Sequence, residues 1–288
     1  MKQSIAAFTF IFFLIVSCGK SDFKKESNPI SERVSTTSEN VSILDKQFSV
    51  INKAGASIFR SIWLYLPPDY HASENHYPVI YMHDGQNVFD AKTSYAGEWK
   101  VDELLNTEFE KNGKGFIVVA IDNNGQERLN EYSPWTHEKY GGGSGDRYIQ
   151  MIIKNLKPFI DSNYRTLTGP ESTAIIGSSM GGLISFYAGL QYPDVFGKIG
   201  AISPSFWFSE DVLTFTKEKI TPASKSKLYL LLGSEEGMTK EFNAVVDLIG
   251  SSDFPDLNIK EKIVQGGKHN EAFWSSEFIE TIRFLYDD

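Results

Sequence analysis

Continuous apolar runs alternate along the chain with segments in which apolar residues recur at helical spacing. A short apolar run bounded by turn residues predicts a buried strand, and the helical spacing predicts an amphipathic helix. The predicted strands cover residues 48–52, 58–66, 78–83, 116–121, 173–176, 198–203, 228–232 and 257–264. The predicted helices cover residues 99–110, 146–164, 183–190, 211–219, 240–249 and 272–286. The second of these helices is interrupted near Pro158, because proline lacks the amide that a helix interior needs.

The order of these elements predicts the fold class. Residues 48–52 and 58–66 form an antiparallel pair around a turn that contains Ala54-Gly55, and strands then alternate with helices. Alternation with continuously apolar strands predicts an α/β fold, in which a mostly parallel sheet carries helices on both faces. Ligands of such folds bind beyond the carboxyl ends of the strands. Polar residues that directly follow a strand are therefore the candidates for a functional site.

The first residues are typical of a bacterial lipoprotein signal peptide. Residues 5–16 are apolar except for Thr9 and follow Lys2. As a helix they rise about 18 Å, too little for a hydrocarbon core of about 30 Å, which predicts a signal peptide. The sequence Leu-Ile-Val-Ser-Cys-Gly that ends it resembles a lipobox, so residues 1–18 are interpreted as a lipoprotein signal peptide with lipidation at Cys18. The alternative is an ordinary signal peptide with a coincidental cysteine.

A change in composition predicts the domain organisation. Residues 19–46 are rich in Ser, Asn, Glu and Lys and poor in aromatic residues, which predicts a flexible tether. Residues 47–288 have the length and pattern of one α/β domain. A lipid at the start of the tether predicts a domain anchored in the bacterial cell envelope, facing the periplasm or carried on the outer membrane. The absence of Asp directly after Cys18 favours the outer membrane, by analogy with other lipoproteins.

Charge and residue content exclude several classes of partner. The net charge is −9 and Lys and Arg form no dense run, which argues against a nucleic-acid partner. Cys18 is the only cysteine, which excludes an intramolecular disulfide, and no histidines are paired at metal-ligand spacing. The glycine-rich residues 141–145 lack the lysine of a phosphate-binding loop. We therefore predict neither a metal site nor a cofactor.

The most informative motif is Gly-Ser-Ser-Met-Gly at residues 177–181, between a predicted strand and a predicted helix. That context is typical of a nucleophile elbow, whose glycines permit a sharp turn and whose serine is held clear of the backbone. Ser179 is the predicted nucleophile. The N–H of Met180, at the start of the helix, is a predicted donor to an oxyanion. The alternative is a serine that caps the helix after a glycine-rich turn.

A serine hydroxyl needs a base, and the base needs a carboxylate that orients it. His269 follows the last predicted strand and precedes the final helix, so the order Ser, acid, His matches that of α/β-hydrolases. The acid should follow the strand at 228–232, where Glu235 and Glu236 stand in a Gly-Ser-Glu-Glu-Gly loop. Glu236 is preferred over Glu235. Less favoured are the acids that follow the preceding strand, Glu210 and Asp211.

A second oxyanion donor is expected from the loop after the strand at 78–83. That loop reads His-Asp-Gly-Gln-Asn-Val-Phe-Asp over residues 83–90. The backbone N–H of Gln86 is the predicted donor, with Gly85 and Asn87 as alternatives.

Taken together, residues 83–90, 157–161, 177–182 and 269–274 resemble the putative esterase family of α/β-hydrolases. The resemblance covers residues 48–287 and implies an α/β-hydrolase fold. The family includes siderophore esterases of the enterochelin type, feruloyl and acetyl-xylan esterases, and S-formylglutathione hydrolases. In relatives the acid commonly stands three residues after the glycine that ends its strand, which supports Glu236.

Two further residues are predicted to bind substrate. Arg128 lies in a segment, residues 128–134, that resembles one common in hydrolases of this group, and it follows a strand. It is predicted to bind an anionic or catecholate group, or alternatively to form a salt bridge with Glu131 or another acid. Trp207 is predicted to line an aromatic cleft, along with the other tryptophans Trp99, Trp135 and Trp274.

The resemblance and the candidate residues together predict a serine carboxylic-ester hydrolase of the cell envelope. Its expected substrate is a siderophore-type ester or an acylated carbohydrate. Membrane anchoring argues against an S-formylglutathione hydrolase, whose substrate is cytosolic. Two alternatives remain open from the sequence: an acyltransferase with the same Ser-His-Glu triad, and a non-catalytic binding module on a hydrolase fold.

Overall fold

A computed structural model describes residues 33–220, 225–252 and 258–287. The interpreted signal peptide and Cys18 lie outside the described residues. The strands are β1 (Val41–Ile43), β2 (Phe48–Ile51), β3 (Ser57–Arg60), β4 (Ile62–Tyr65), β5 (Val79–His83), β6 (Ile117–Ile121), β7 (Thr136–His137), β8 (Gly141–Gly142), β9 (Thr173–Ser178), β10 (Lys198–Ile202), β11 (Lys227–Gly233) and β12 (Ile259–Val264). The helices are α1 (Val101–Asn112), α2 (Arg128–Glu131), α3 (Gly145–Met151), α4 (Lys157–Asn163), α5 (Met180–Gln191), α6 (Asp211–Lys219), α7 (Thr239–Gly250) and α8 (Glu271–Tyr286). None of these helices is long and apolar enough to cross a membrane.

Eight of the described strands form one sheet, in the order β1-β4-β6-β5-β9-β10-β11-β12. Strands β5, β6 and β9 to β12 run parallel to one another, whereas β4 is antiparallel to β6 and β1 is antiparallel to β4. The predicted fold class, a mostly parallel sheet with helices, is therefore confirmed. Two small hairpins, β2–β3 and β7–β8, lie outside this sheet.

Two apolar clusters cover the two faces of the sheet. Successive residues of a strand point to opposite faces, and Ile175 accordingly packs in one cluster while Ile176 packs in the other. Helix α5 contributes Leu183 to the first cluster, and helix α8 contributes Phe278 to the second. Because both faces of the sheet are buried, the central strands appear in the sequence as continuous apolar runs.

The sequence prediction for residues 58–66 differs from the structure. The run divides into β3, which pairs with β2 in a hairpin, and β4, which joins the central sheet. Arg60 ends β3 fully buried, and its guanidinium pairs with the carboxylate of Glu131 on α2. This buried ion pair anchors the hairpin against the domain, and the chain then turns at Ser61 into the sheet.

The long helix predicted over residues 146–164 is interrupted where expected. Between α3 and α4 the chain forms one turn of π-helix, Ile152–Leu156. Pro158 lies in the first turn of α4, where its missing amide leaves no hydrogen bond unmade. The wider π turn accommodates the ring of the proline without ending the helical path.

The prediction of a flexible tether over residues 19–46 is wrong for residues 33–46. Strand β1 pairs with the outer edge of β4. The backbone N–H of Ser38 donates to Asp102 Oδ2 at 2.7 Å, and the hydroxyl of Thr36 donates to Glu98 Oε1 at 2.7 Å. Composition does not reveal these contacts. The same polar residues would be solvated in a tether, whereas here they donate hydrogen bonds to buried carboxylates.

Candidate active site

Ser179 occupies a sharp turn between β9 and α5. Its backbone has φ 59° and ψ −124°, a conformation that is strained for a residue with a side chain. The turn is possible because its neighbours are glycines: a Cβ on Gly177 would lie 2.7 Å from the backbone of Gly181. A Cβ on Gly182 would lie 2.7 Å from the carbonyl oxygen of Ile202. The geometry places the Ser179 hydroxyl at the carboxyl end of the sheet.

The structure brings together the three side chains that the sequence predicts as a triad. His269 Nε2 lies 2.9 Å from Ser179 Oγ. His269 Nδ1 lies 2.7 Å from Glu236 Oε2. The Glu236 side chain is fully buried, whereas the His269 side chain is 37% exposed. The three groups therefore form one line of hydrogen bonds that runs from the interior to the open cleft.

Glu236, rather than Glu235, faces the histidine. Glu236 Oε1 accepts hydrogen bonds from the backbone N–H of Gly233 and from the hydroxyl of Ser203, each at 2.7 Å. Both oxygens of the carboxylate are thus held by donors. Glu235 is exposed and lies 3.6 Å from Lys268 Nζ. The less favoured acids Glu210 and Asp211 lie at the start of α6 and are bonded to neither His269 nor Ser179.

Two backbone amides are free to bind an oxyanion. The N–H of Met180 begins α5, so it has no partner within the helix. Gln86 lies in a short 3₁₀ turn, Gly85–Asn87, that follows β5 and borders the cleft. Within the described residues neither amide donates to a backbone acceptor, whereas the alternative donor Asn87 already bonds to the carbonyl of Asp84 at 2.8 Å.

Ser179 opens into a cavity of about 560 Å³ at the carboxyl ends of the strands. Arg128, predicted to bind substrate, lines this cavity. It holds Asp84 in a two-pronged ion pair, with Nε to Oδ1 at 2.7 Å and Nη2 to Oδ2 at 2.8 Å. Burial alone would raise the pKa of Asp84, but the charge and hydrogen bonds of Arg128, together with the hydrogen bond from Asn123, outweigh burial and lower that pKa. The sequence-based alternative partner, Glu131, instead binds Arg60.

Trp207 lies outside the cavity, so its predicted place in the cleft is wrong. It belongs to the 3₁₀ turn Phe206–Phe208, which leaves it 42% exposed beside Tyr140, with ring centroids 5.8 Å apart. Trp274 lines the cavity in its place. The ring of Trp274 stands edge-on to His269, with centroids 5.0 Å apart and planes at 89°.

Another histidine lies directly beneath the elbow. His83 ends β5 and is buried, and its Nδ1 lies 2.8 Å from the hydroxyl of Tyr148. Burial lowers the pKa of His83 to about 3, which keeps the imidazole neutral. A Cβ on Gly177 would lie 2.9 Å from His83 Cδ2, so this ring supports the turn from below.

Three residues beside the predicted triad are not among the residues predicted from the sequence. Ser203 follows β10 with φ 45°, donates to Glu236 and accepts from Trp274 Nε1 at 2.9 Å. Ser205 places its Oγ 3.4 Å from Ser179 Oγ. Glu271, the first residue of α8, lines the cavity. Only the rule that sites follow the ends of parallel strands points to Ser203 and Ser205.

One group of carboxylates in the described part of the chain has the spacing of metal ligands. Oxygens of Glu98, Asp102 and Glu103 lie within 4.8 Å of one another. Burial, reinforced by Asp102, raises the pKa of Glu103 to about 7. The group lies under the N-terminal segment, whose Thr36 and Ser38 donate to two of its members, and it does not line the Ser179 cavity.

Comparison with known proteins identifies the family. The model of a family described as "Putative esterase" matches residues 59–285. This chain belongs to that family. The uncharacterized protein YbbA of Bacillus subtilis (strain 168) is 30% identical over 243 residues, which cover 79% of this chain and 92% of YbbA. Family membership makes the chain an esterase, a hydrolase of carboxylic esters.

Solved structures of esterases share its fold. The enterobactin esterase FES from Shigella flexneri, crystallised in the presence of enterobactin, matches with a TM-score of 0.67 and 19% identity. The match covers 84% of this chain but only 58% of the enterobactin esterase. A ferulic acid esterase matches with a TM-score of 0.64 and 15% identity, and the match covers 86% of this chain and 98% of that enzyme. At these identities the likeness establishes the α/β-hydrolase fold of this esterase.

Proposed function

We propose that the chain is a serine esterase in which Ser179, His269 and Glu236 form the catalytic triad. The observation that carries the proposal is the continuous line of hydrogen bonds from Glu236 through His269 to Ser179, with distances of 2.7 and 2.9 Å. His269 Nε2 accepts the hydroxyl proton as Ser179 Oγ attacks the ester carbonyl, and Glu236 accepts a hydrogen bond from the Nδ1–H without taking its proton. The buried carboxylate stabilises the imidazolium that forms.

The free amides of Met180 and Gln86 stabilise the tetrahedral intermediate. Negative charge develops on the carbonyl oxygen, and preorganised N–H donors lower its energy most in a site that excludes water. Each such donor is worth roughly 100- to 1,000-fold in rate. His269 then returns its proton to the leaving alcohol, and water, activated by the same imidazole, cleaves the acyl-enzyme.

The substrate is proposed to be a siderophore-type ester or an acylated carbohydrate. Family membership supports an ester, and the fold likeness to the enterobactin and ferulic acid esterases is consistent with both classes. Purified protein should hydrolyse at least one of p-nitrophenyl acetate, methyl ferulate and a triscatecholate lactone. Failure with all three, together with transfer of an acetyl group to an added sugar, would identify an acyltransferase instead.

The proposed location is the cell envelope, through a lipid on Cys18. The Cys18→Ala variant, expressed in a bacterium, should move the esterase activity from the membrane fraction to the soluble fraction, because no other cysteine is present to carry the lipid. Ser17→Ala, which keeps a small residue before the cysteine, serves as the control and should remain in the membrane. An unchanged distribution of Cys18→Ala would contradict the lipid anchor.

Ser203 is proposed as a positioning residue for Glu236. Its hydroxyl accepts from Trp274 and therefore directs its one proton to Glu236, which holds that carboxylate in place beside His269. A hydrogen bond to a charged group is worth about 1.5–3 kcal/mol, so Ser203→Ala should lower kcat about 10- to 100-fold with KM nearly unchanged. If Ser203 acts through Glu236, adding Ser203→Ala to Glu236→Gln should cost little more. Additive losses would contradict the positioning role.

A further inference from the structure

The side chains that line the Ser179 cavity include two carboxylates, Asp84 and Glu271, and one guanidinium, Arg128. Arg128 is the cation that lines it, and both prongs of its guanidinium are engaged by the carboxylate of Asp84. Asn123 Nδ2 adds a third hydrogen bond to Asp84 at 2.6 Å. The Asp84–Arg128 pair is therefore neutral as a unit. Glu271 is a second carboxylate on the same wall and has no such partner.

Glu271 lies on the wall of the cavity into which Ser179 opens. It is only 6% exposed, and it lines the cavity beside His269 and Ser179. A Cβ on Gly97 would come within 3.2 Å of Glu271 Cβ, so the loop at Gly97 closes over its side chain. Among the described residues its carboxylate forms no salt bridge.

Burial raises the pKa of Glu271, and the nearby carboxylate of Asp84 raises it further. Opposing this, its own backbone N–H, His269 and Arg128 favour the ionised form. Such a carboxylate has unused acceptor capacity in a site from which water is partly excluded. It is stabilised by a ligand that brings hydroxyl donors and is opposed by a ligand that brings negative charge.

We propose that Glu271 is a specificity-determining residue that selects neutral, hydroxyl-bearing esters and rejects esters with a negative charge near the scissile carbonyl. This inference rests on the proposed function. It favours the acylated carbohydrate over an iron-bound catecholate, which is anionic. It also assigns Arg128 to the neutral pair with Asp84 rather than to an anionic substrate.

A matched pair of substrates tests the proposal: 3-acetoxybenzamide, which is neutral, and 3-acetoxybenzoate, which has the same shape and one negative charge. Like charges within one cleft repel strongly at the low effective dielectric of a protein surface. We expect the wild-type kcat/KM to favour the neutral ester by about tenfold or more beyond the ratio of their rates of hydroxide hydrolysis. Glu271→Gln, which keeps the shape and removes the charge, should lower this preference about tenfold.

The control variant removes a carboxylate that lies outside the cavity. Glu110→Gln, on the exposed side of α1, should leave the preference unchanged. A measurement on the wild type alone does not depend on the folding of a variant: rising salt concentration should weaken the preference, because salt screens the repulsion. Glu271→Ala should lower kcat/KM more for a methyl xyloside that carries one acetyl group than for 3-acetoxybenzamide, because only the sugar offers hydroxyl donors.

The assignment of Glu271 and the esterase mechanism can fail separately. An equal preference in wild type and Glu271→Gln, or a wild type that prefers the benzoate, would overturn the assignment of Glu271 while leaving the esterase mechanism intact. No hydrolysis of 3-acetoxybenzamide by the wild type, and no reaction of Ser179 with a fluorophosphonate, would overturn the mechanism and the inference together.

Discussion

Replacing Ser179 with alanine should lower kcat/KM for p-nitrophenyl acetate by at least about a thousandfold. The hydroxyl that His269 Nε2 contacts at 2.9 Å is removed, so no acyl-enzyme forms. The residual rate should come from the oxyanion donors and from substrate binding alone. Initial rates measured with the purified variant, beside its unfolding midpoint, give the test.

Ser205→Ala is the matched control for Ser179→Ala. Its hydroxyl lies 3.4 Å from Ser179 Oγ but is not bonded to a histidine, so its loss should cost less than about tenfold. The strained backbone of Ser179 adds a second expectation. Ser179→Gly should be more stable than Ser179→Ala, since glycine adopts a positive φ without strain. A Ser179→Ala enzyme that retained most of its activity would exclude Ser179 as the nucleophile.

Replacing Glu236 with glutamine should have the second largest effect, a loss of about 1,000- to 10,000-fold in kcat. Glu236 Oε1 already accepts from Ser203 and Gly233, so the amide NH₂ of the glutamine would face His269 Nδ1. Two N–H donors cannot bond to each other, so the imidazole would take the tautomer that protonates Nε2 and could not accept the serine proton.

Glu235→Gln is the control for Glu236→Gln, because it removes the same charge one residue away. The side chain of Glu235 is exposed, and its carboxylate lies 3.6 Å from Lys268 Nζ, so its replacement should change kcat less than about twofold. Rates for the two variants over a range of pH give the comparison. Equal losses would mean that the loop as a whole, and not the Glu236 carboxylate, supports His269.

The nucleophile elbow could be predicted from sequence because its requirements are local. A serine flanked by glycines, after an apolar run and before a helix, satisfies one steric condition within a few residues. His269 could be predicted from chain order. The choice between Glu235 and Glu236 depends on where a loop turns after β11, and the sequence supported it only through likeness to relatives.

Other features depend on contacts between distant segments. Ser203 gains its role from Trp274 and Glu236, which lie far from it in the chain. Trp207 has an aromatic side chain suited to a cleft, but it belongs to the turn that follows Ser205 and therefore lies outside the cavity. Residues 33–46 have the composition of a tether, yet buried carboxylates near α1 bind them. Composition and periodicity do not encode such pairings.

Mass-spectrometric mapping of the protein after reaction with a fluorophosphonate would identify the nucleophile. We expect a single adduct, on Ser179, that forms rapidly in the wild type and is strongly reduced in His269→Ala, because the imidazole activates the hydroxyl. An unmodified protein, or an adduct on Ser205 or elsewhere with Ser179 unmodified, would contradict this expectation.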